Sequence, residues 1–278
     1  MTKTRVLTGI AIFFPAVYLI GWAPRWLFLI ALIALVERGL YEYFLIARET
    51  RLKAFERLGY VAGLAICVVE WPDLYRRGVL ELAVILVFML LASVWALWMA
   101  PDFRSYTEGV AATFFGVFYV AFTLSCLFPL RFSDLGAGLA SGRQIVFFLF
   151  AVICVGDICA YFTGRALGRR LLFPRVSPKK TLEGALGGLA GSVVVGWAWA
   201  QLFWQTKAWE PVILLALCVA VAGQAGDFVE SALKRGANIK DSGAILPGHG
   251  GLLDRVDSML FGAPALWLVL IVRHFIRV

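Results

Sequence analysis

Apolar residues run through this chain in long blocks, separated by short polar connectors. A helix needs about 20 apolar residues to cross a bilayer. By that measure the pattern predicts spans near residues 6–22, 25–46, 56–70, 78–99, 109–129, 143–166, 182–204, 211–233 and 255–275. The third is short and carries Glu70 near its end, and only the tight turn GWAPR separates the first two. The expected fold is therefore all-α: a polytopic membrane helix bundle of about nine transmembrane helices. No flexible linker or repeat divides it, so residues 1–278 read as a single integral-membrane domain.

Composition strengthens this reading. Hydrophobic residues make up 61% of the chain and charged residues 16%, and the mean hydropathy is +0.84. A soluble domain carries about 25% charged residues. The N-terminal segment has a signal-like apolar run without a convincing small-x-small cleavage site, and reads as a retained first span. Basic residues are about twice as frequent in the loops on the N-terminal side of the membrane, which places the N-terminus in the cytoplasm. The polar connectors 165–181 and 234–254 then share that cytoplasmic face. Five cysteines (Cys67, Cys126, Cys154, Cys159 and Cys218) lie within apolar runs without CxxC spacing. They read as small buried hydrophobes, with neither disulfides nor zinc implied.

Three polar constellations interrupt the pattern, within a motif-bearing part from about 150 to 260. The eighth span ends in a stripe of Gln224, Asp227, Glu230, Ser231 and Lys234, whose spacing places them on one helix face. A Glu230–Lys234 ion pair is the structural alternative for two of these, but Asp227 lies deeper, where a carboxylate is costly. The connector that follows gathers Arg235, Lys240, Asp241, His249, Asp254, Arg255 and Asp257 around Pro247, Gly248, Gly250 and Gly251. Its backbone amides can face an anion. Asp254 and Asp257 also fit a helix cap, as N-cap and N3. In the third, Asp157, Tyr161, Gly164, Arg165 and Gly168 share a face of the sixth span, ahead of SPKKT. There Ser177 is expected as N-cap and Pro178 as N1, with Lys179 and Lys180 in the first helical turn. Lysines oppose the helix dipole at that place, a conflict an anion would relieve. Gly184, Gly187, Gly188 and Gly191 read as close helix packing. Glu37 and Arg38, inside the second span, are not expected to belong to a site.

The polar motifs resemble the phosphatidate cytidylyltransferase (CDP-diacylglycerol synthase) family. The match rests on S-x-L-K-R, K-D-x-G and P-G-H-G-G-L-x-D-R-V-D between Ser231 and Asp257, on G-D-x-x-E-S from Gly226, and on S-P-K-K-T-x-E-G from Ser177. It extends through A-Y-x-x-G-R and covers roughly the C-terminal 120 residues. The chain departs from the family at Ile158 and Cys159, where a small or hydroxyl residue often follows the aspartate, and at Leu182, where tryptophan is frequent. The resemblance implies condensation of CTP with phosphatidate to CDP-diacylglycerol and pyrophosphate with Mg²⁺, with K⁺ as a candidate second cation. It implies Asp227 and Asp254 as metal ligands and catalytic residues, with Lys234 and Ser231 also catalytic. Ser177, Lys179, Lys180, Arg235, Lys240, His249, Arg255 and Asp257 become substrate-binding candidates. Implied partners are membrane lipid and a second copy of the chain, with no nucleic acid. The implied location is a bacterial-type inner membrane, with the site facing the cytoplasm. The alternatives are a CTP-dependent polyprenol kinase, which the long connector argues against, and a lipid transporter or scramblase. A transporter would place its charges near the midplane, often in inverted repeats. A CDP-alcohol phosphotransferase is excluded because its D-x-x-D-G-x-x-A-R pattern is absent.

Overall fold

The computed structural model describes residues 2–71, 74–134, 139–204, 209–245 and 250–276. Helices stand at every predicted span. They are α1 (Thr2–Gly21), α2 (Arg25–Glu49), α3 (Glu56–Val69), α4 (Leu74–Met99) and α5 (Phe103–Gly116). A π-helical stretch (Val117–Phe122) and two short helices, α6 (Thr123–Ser125) and α7 (Leu127–Phe132), prolong α5. Then come α8 (Gly142–Leu167), α9 (Leu182–Phe203), α10 (Trp209–Gly236) and α11 (Leu253–Ile276).

Among the described residues, six helical stretches are long and apolar enough to cross a membrane: α4, the run Phe103–Phe132, α8, α9, α10 and α11. In α2 the charges of Glu37, Arg38 and Glu42 interrupt the apolar run, and α3 has only 14 residues. Exposed Val79, Leu80, Leu82, Val87, Leu91 and Trp95 spread around α4. A helix apolar on all sides suits a hydrocarbon solvent rather than water. The protein is a multi-pass, helical membrane protein.

One element departs from the all-helical expectation. Residues Leu171–Phe173 (β1) and Ser177–Thr181 (β2) form an antiparallel two-stranded sheet, pairing Leu171 with Thr181 and Phe173 with Ser177. The SPKKT segment is thus a strand, and Ser177 caps no helix. Pairing with β1 satisfies the segment's backbone, and Pro178 is tolerated because an edge strand need not donate at every residue. The cap belongs to Thr181, whose hydroxyl accepts from Gly184 N at 3.1 Å. Glu183 supplies the negative charge that the first turn of α9 prefers, and accepts from the amides of Arg169 (3.0 Å) and Arg170 (3.2 Å). The expected clash of two lysines with the helix dipole does not arise.

The chain divides into two compact units. The first comprises residues 1–128 and 233–256. Its core includes Leu32, Val36, Leu40 and Phe44 of α2, Ile66 of α3, Val117 and Val120 of the π-helical stretch, and Leu253. Tyr43 donates its hydroxyl to Ala112 O at 2.8 Å, tying α2 to α5.

The second unit comprises residues 129–232 and 257–278. Here α8 and α9 lie close along a seam of small residues. A Cβ on Gly184 would meet Ala160 O and Gly164 Cα, one on Gly187 would overlap Thr163, and one on Gly191 would overlap Cys159. This is the predicted glycine packing, and it lets backbones approach where apolar lipid gives helices no solvent-driven reason to associate. Ser192 donates to Val152 O at 2.9 Å across the same seam. On α10, a Cβ at Gly226 would sit 2.6 Å from Asp257 O, so this glycine admits the α11 backbone beside Asp227.

Candidate active site

The second unit contains a cavity of about 630 Å³. Asp157, Tyr161, Gly164 and Arg165 line it from α8, Ser177, Lys179 and Lys180 from β2, and Gln224, Asp227 and Phe228 from α10. Lys180 donates to Asp227 Oδ2, and its ammonium lies 4.6 Å from the centre of the Phe228 ring. Phe173 of β1 meets that ring edge-on at 5.0 Å. The hairpin and α10 together therefore fix where the lysine points. The side chains of Asp227 and Lys180 are 24% and 37% exposed. Ser231 lies one turn beyond Asp227 and donates to its Oδ1 at 3.4 Å, a long bond that leaves this oxygen lightly engaged. Gln224 donates to Ala185 O at 3.1 Å, holding α10 against α9.

The first unit holds the other predicted carboxylate, in a different setting. Asp254 is the second residue of α11, and its side chain is only 7% exposed. Its Oδ1 accepts from Lys234 Nζ at 2.5 Å. Its Oδ2 accepts from Gly251 N (2.8 Å) and Ser242 N (2.9 Å), and lies 3.1 Å from Ser242 Oγ. Asp254 therefore is not an N-cap: it bonds backward to the connector and leaves the first amides of α11 to another group. That group is Glu42 of α2, which accepts from Leu252 N at 3.0 Å and Leu253 N at 2.8 Å.

The connector owes its path to two local devices. Asn238, with φ 58°, closes α10 by returning Ile239 N–H to Lys234 O at 2.9 Å, a Schellman-like turn. Gly250 has φ +80°, where a side chain would be strained, and a Cβ there would lie 2.7 Å from Asp254 Oδ2.

The remaining predicted residues separate clearly. Ser177 and Lys179 line the cavity with Lys180 and Asp227. Lys240 and Arg255 are exposed, and Arg235, also exposed, donates to Ile239 O at 3.2 Å. Asp257 is half-buried and accepts from the neighbouring Ser258 N at 2.7 Å. His249 lies outside the described residues. Sequence reasoning gave no role to Arg165, Asp157 or Phe228 at this cavity, although the shared face of Asp157, Tyr161 and Arg165 was a signal for two of them. It also missed Glu42, whose only local mark is a charge inside an apolar run.

Among the described residues, no three His, Cys, Asp or Glu side chains converge as a ready-made metal cage. That donor set still fits Mg²⁺, which is commonly bound by one or two carboxylates completed by water and substrate phosphates. Lightly engaged Asp227, in a cavity with two lysines and an arginine, matches such a shared arrangement.

Comparison with known proteins identifies the family. Residues 3–272 match the model of the cytidylyltransferase family. A phosphatidate cytidylyltransferase of Bacillus subtilis is 34% identical over 96% of this chain and 97% of its own length. That of Brucella suis is 36% identical over 96% and 92%, and that of Synechocystis is 31% identical over 96% of both. Matched from one end to the other, the chain belongs to the cytidylyltransferase family.

Proposed function

We infer that the protein transfers the cytidylyl group of CTP to phosphatidate, giving CDP-diacylglycerol and pyrophosphate. In this reaction a phosphate oxygen of the lipid forms a bond to the α-phosphorus of CTP. The bond from that phosphorus to the β-phosphate oxygen breaks, and pyrophosphate leaves. The second ionisation of a phosphate monoester lies near neutrality, so the nucleophile needs no strong protein base. The protein must bring two polyanions together, offset their repulsion and stabilise charge at the α-phosphorus. The observation that carries this reading is the basic cavity of the second unit, where Lys179, Lys180 and Arg165 surround Asp227. Its full-length relatives named phosphatidate cytidylyltransferase support the same substrates.

In this reading Lys179, Lys180 and Ser177 bind phosphate groups at the cavity. Arg235, Lys240, His249, Arg255 and Asp257 contribute from the connector and the start of α11. Asp227 and Asp254 are the residues that would hold Mg²⁺. When bound, the ion supplies charge neutralisation and orientation of phosphate oxygens. Lys234 would bind a substrate phosphate, and Ser231 would orient Asp227. Nine membrane crossings, a cytoplasmic N-terminus, a cytoplasm-facing site in a bacterial-type inner membrane and a homodimeric assembly complete the proposal. Its support is the excess of basic residues in the loops on one side and, for the dimer, the family resemblance.

The test is to supply purified protein with CTP labelled at the α-phosphorus, phosphatidate and Mg²⁺. Label is expected in a lipid product. Label retained only in CDP would instead favour γ-phosphoryl transfer, the reaction of a lipid kinase.

A further inference from the structure

Glu42 is fully buried, and both of its oxygens are engaged. Oε1 accepts from Leu252 N at 3.0 Å and pairs with Arg38 at 3.1 Å. Oε2 accepts from Ser242 Oγ at 2.7 Å and Leu253 N at 2.8 Å. A buried carboxylate is costly unless fully hydrogen-bonded, and this one meets the condition by gripping the connector at Ser242 and at Leu252 and Leu253. The backbone makes room for it. A Cβ at Gly251 would overlap Glu42 Oε2 and Ser242 Oγ, and one at Gly243 would lie 2.9 Å from Glu42 Oε1. Ser242 joins the two carboxylates, because its hydroxyl lies within hydrogen-bond distance of both Glu42 and Asp254. The two amides that Glu42 accepts are the unsatisfied donors at the N-terminus of α11, immediately ahead of Asp254.

We propose that Glu42 is a positioning residue for cytidylyl transfer: it clamps Ser242, Leu252 and Leu253 so that Asp254 is presented in a single geometry. The proposal rests on the assignment of Asp254 to the metal. Glu42 touches no reacting atom. It acts as the group behind a ligand acts in a metal site, fixing orientation through one intervening hydroxyl and two amides. A glutamine at this position has the same shape but one acceptor oxygen fewer, and its NH₂ would face either the Leu252 amide and Arg38 or the Ser242 hydroxyl and Leu253 amide.

The experiment uses full-length protein in detergent, with variants Glu42→Gln, Glu42→Asp and Ser242→Ala. Deuterium uptake by peptides spanning 240–256 and the Mg²⁺ concentration for half-maximal activity are measured together. In Glu42→Gln, uptake in those peptides is expected to rise while the rest of the protein exchanges as in the parent. The Mg²⁺ midpoint should increase by about 10–100-fold, the usual effect of losing a partner behind a metal ligand, with the KM for phosphatidate unchanged. Glu42→Asp should restore part of the midpoint, and Ser242→Ala should shift it the same way by less. Unchanged uptake at 240–256, an unchanged midpoint in Ser242→Ala, or faster exchange throughout with an unmoved midpoint would each overturn the proposal. Asp254→Asn separates the two levels. Parent-like turnover in that variant removes Asp254 from the metal site, whereas a dead Asp254→Asn beside a parent-like Glu42→Gln refutes the clamp alone.

Discussion

Asp227 and Asp254 look equivalent as letters in a polar motif, yet their surroundings are opposites. Asp227 faces a cavity, keeps a quarter of its side-chain surface exposed and has one lightly engaged oxygen. Asp254 is nearly enclosed and receives bonds from an ammonium and two amides, with a hydroxyl close beside it. An open carboxylate is ready for a ligand, whereas a saturated one has already ordered its neighbours. Removing the first should therefore damage chemistry alone, and removing the second should damage chemistry and structure together.

The strongest test of that contrast substitutes each in turn. Asp227→Asn should lower kcat on the order of 10²–10³-fold with no fall in melting temperature. Asp254→Asn should also abolish turnover, and in addition reduce stability by up to about 3–5 kcal/mol, the cost of breaking a buried ion pair. The bundle should remain folded. Thermal unfolding followed beside labelled-lipid release checks both, and an Asp254→Asn protein that melts like the parent would break the comparison.

A smaller effect is expected at the lysine of the open pair. Lys180→Ala should reduce kcat/KM for CTP by about 100-fold if the lysine binds the triphosphate as proposed. Its stability should change by less than about 1 kcal/mol, because the Lys180–Asp227 pair is partly solvated. Steady-state kinetics and a melting curve on the same preparation decide it.

The smallest effect belongs to the hairpin that carries this lysine. Thr181→Ala removes the cap of α9 and should cost about 1 kcal/mol, visible as a modest fall in melting temperature with kcat nearly retained. A large loss of activity would mean that the cap, rather than strand pairing, holds Lys179 and Lys180 in place.

Most of the long helices could be located from their apolar runs because a bilayer demands a long apolar segment wherever the chain crosses it, whereas the charged α2 and the 14-residue α3 fall short in composition or length. The α8–α9 glycine seam was equally legible, since small residues at helical spacing mark one face. The strand at Ser177–Thr181 was not. Ser-Pro followed by a helix-forming segment is a strong local signal for a helix start, and only pairing with Leu171–Phe173 displaced it by four residues. Glu42 was hidden for the same reason on a larger scale. Its acceptor bonds reach residues 200 to 211 positions away, and nothing near it in the chain announces them.

The sequence by itself determined that the protein lives in a membrane, where its helices run and which short motifs carry the charge. These follow from local composition and spacing, which act through nearest neighbours and solvent. Tertiary structure alone decided which carboxylate stands open and which is locked, and that a glutamate of α2 grips the connector ahead of α11. Those outcomes depend on hydrogen bonds between distant residues, and a buried polar group takes its character from the partners that folding brings to it.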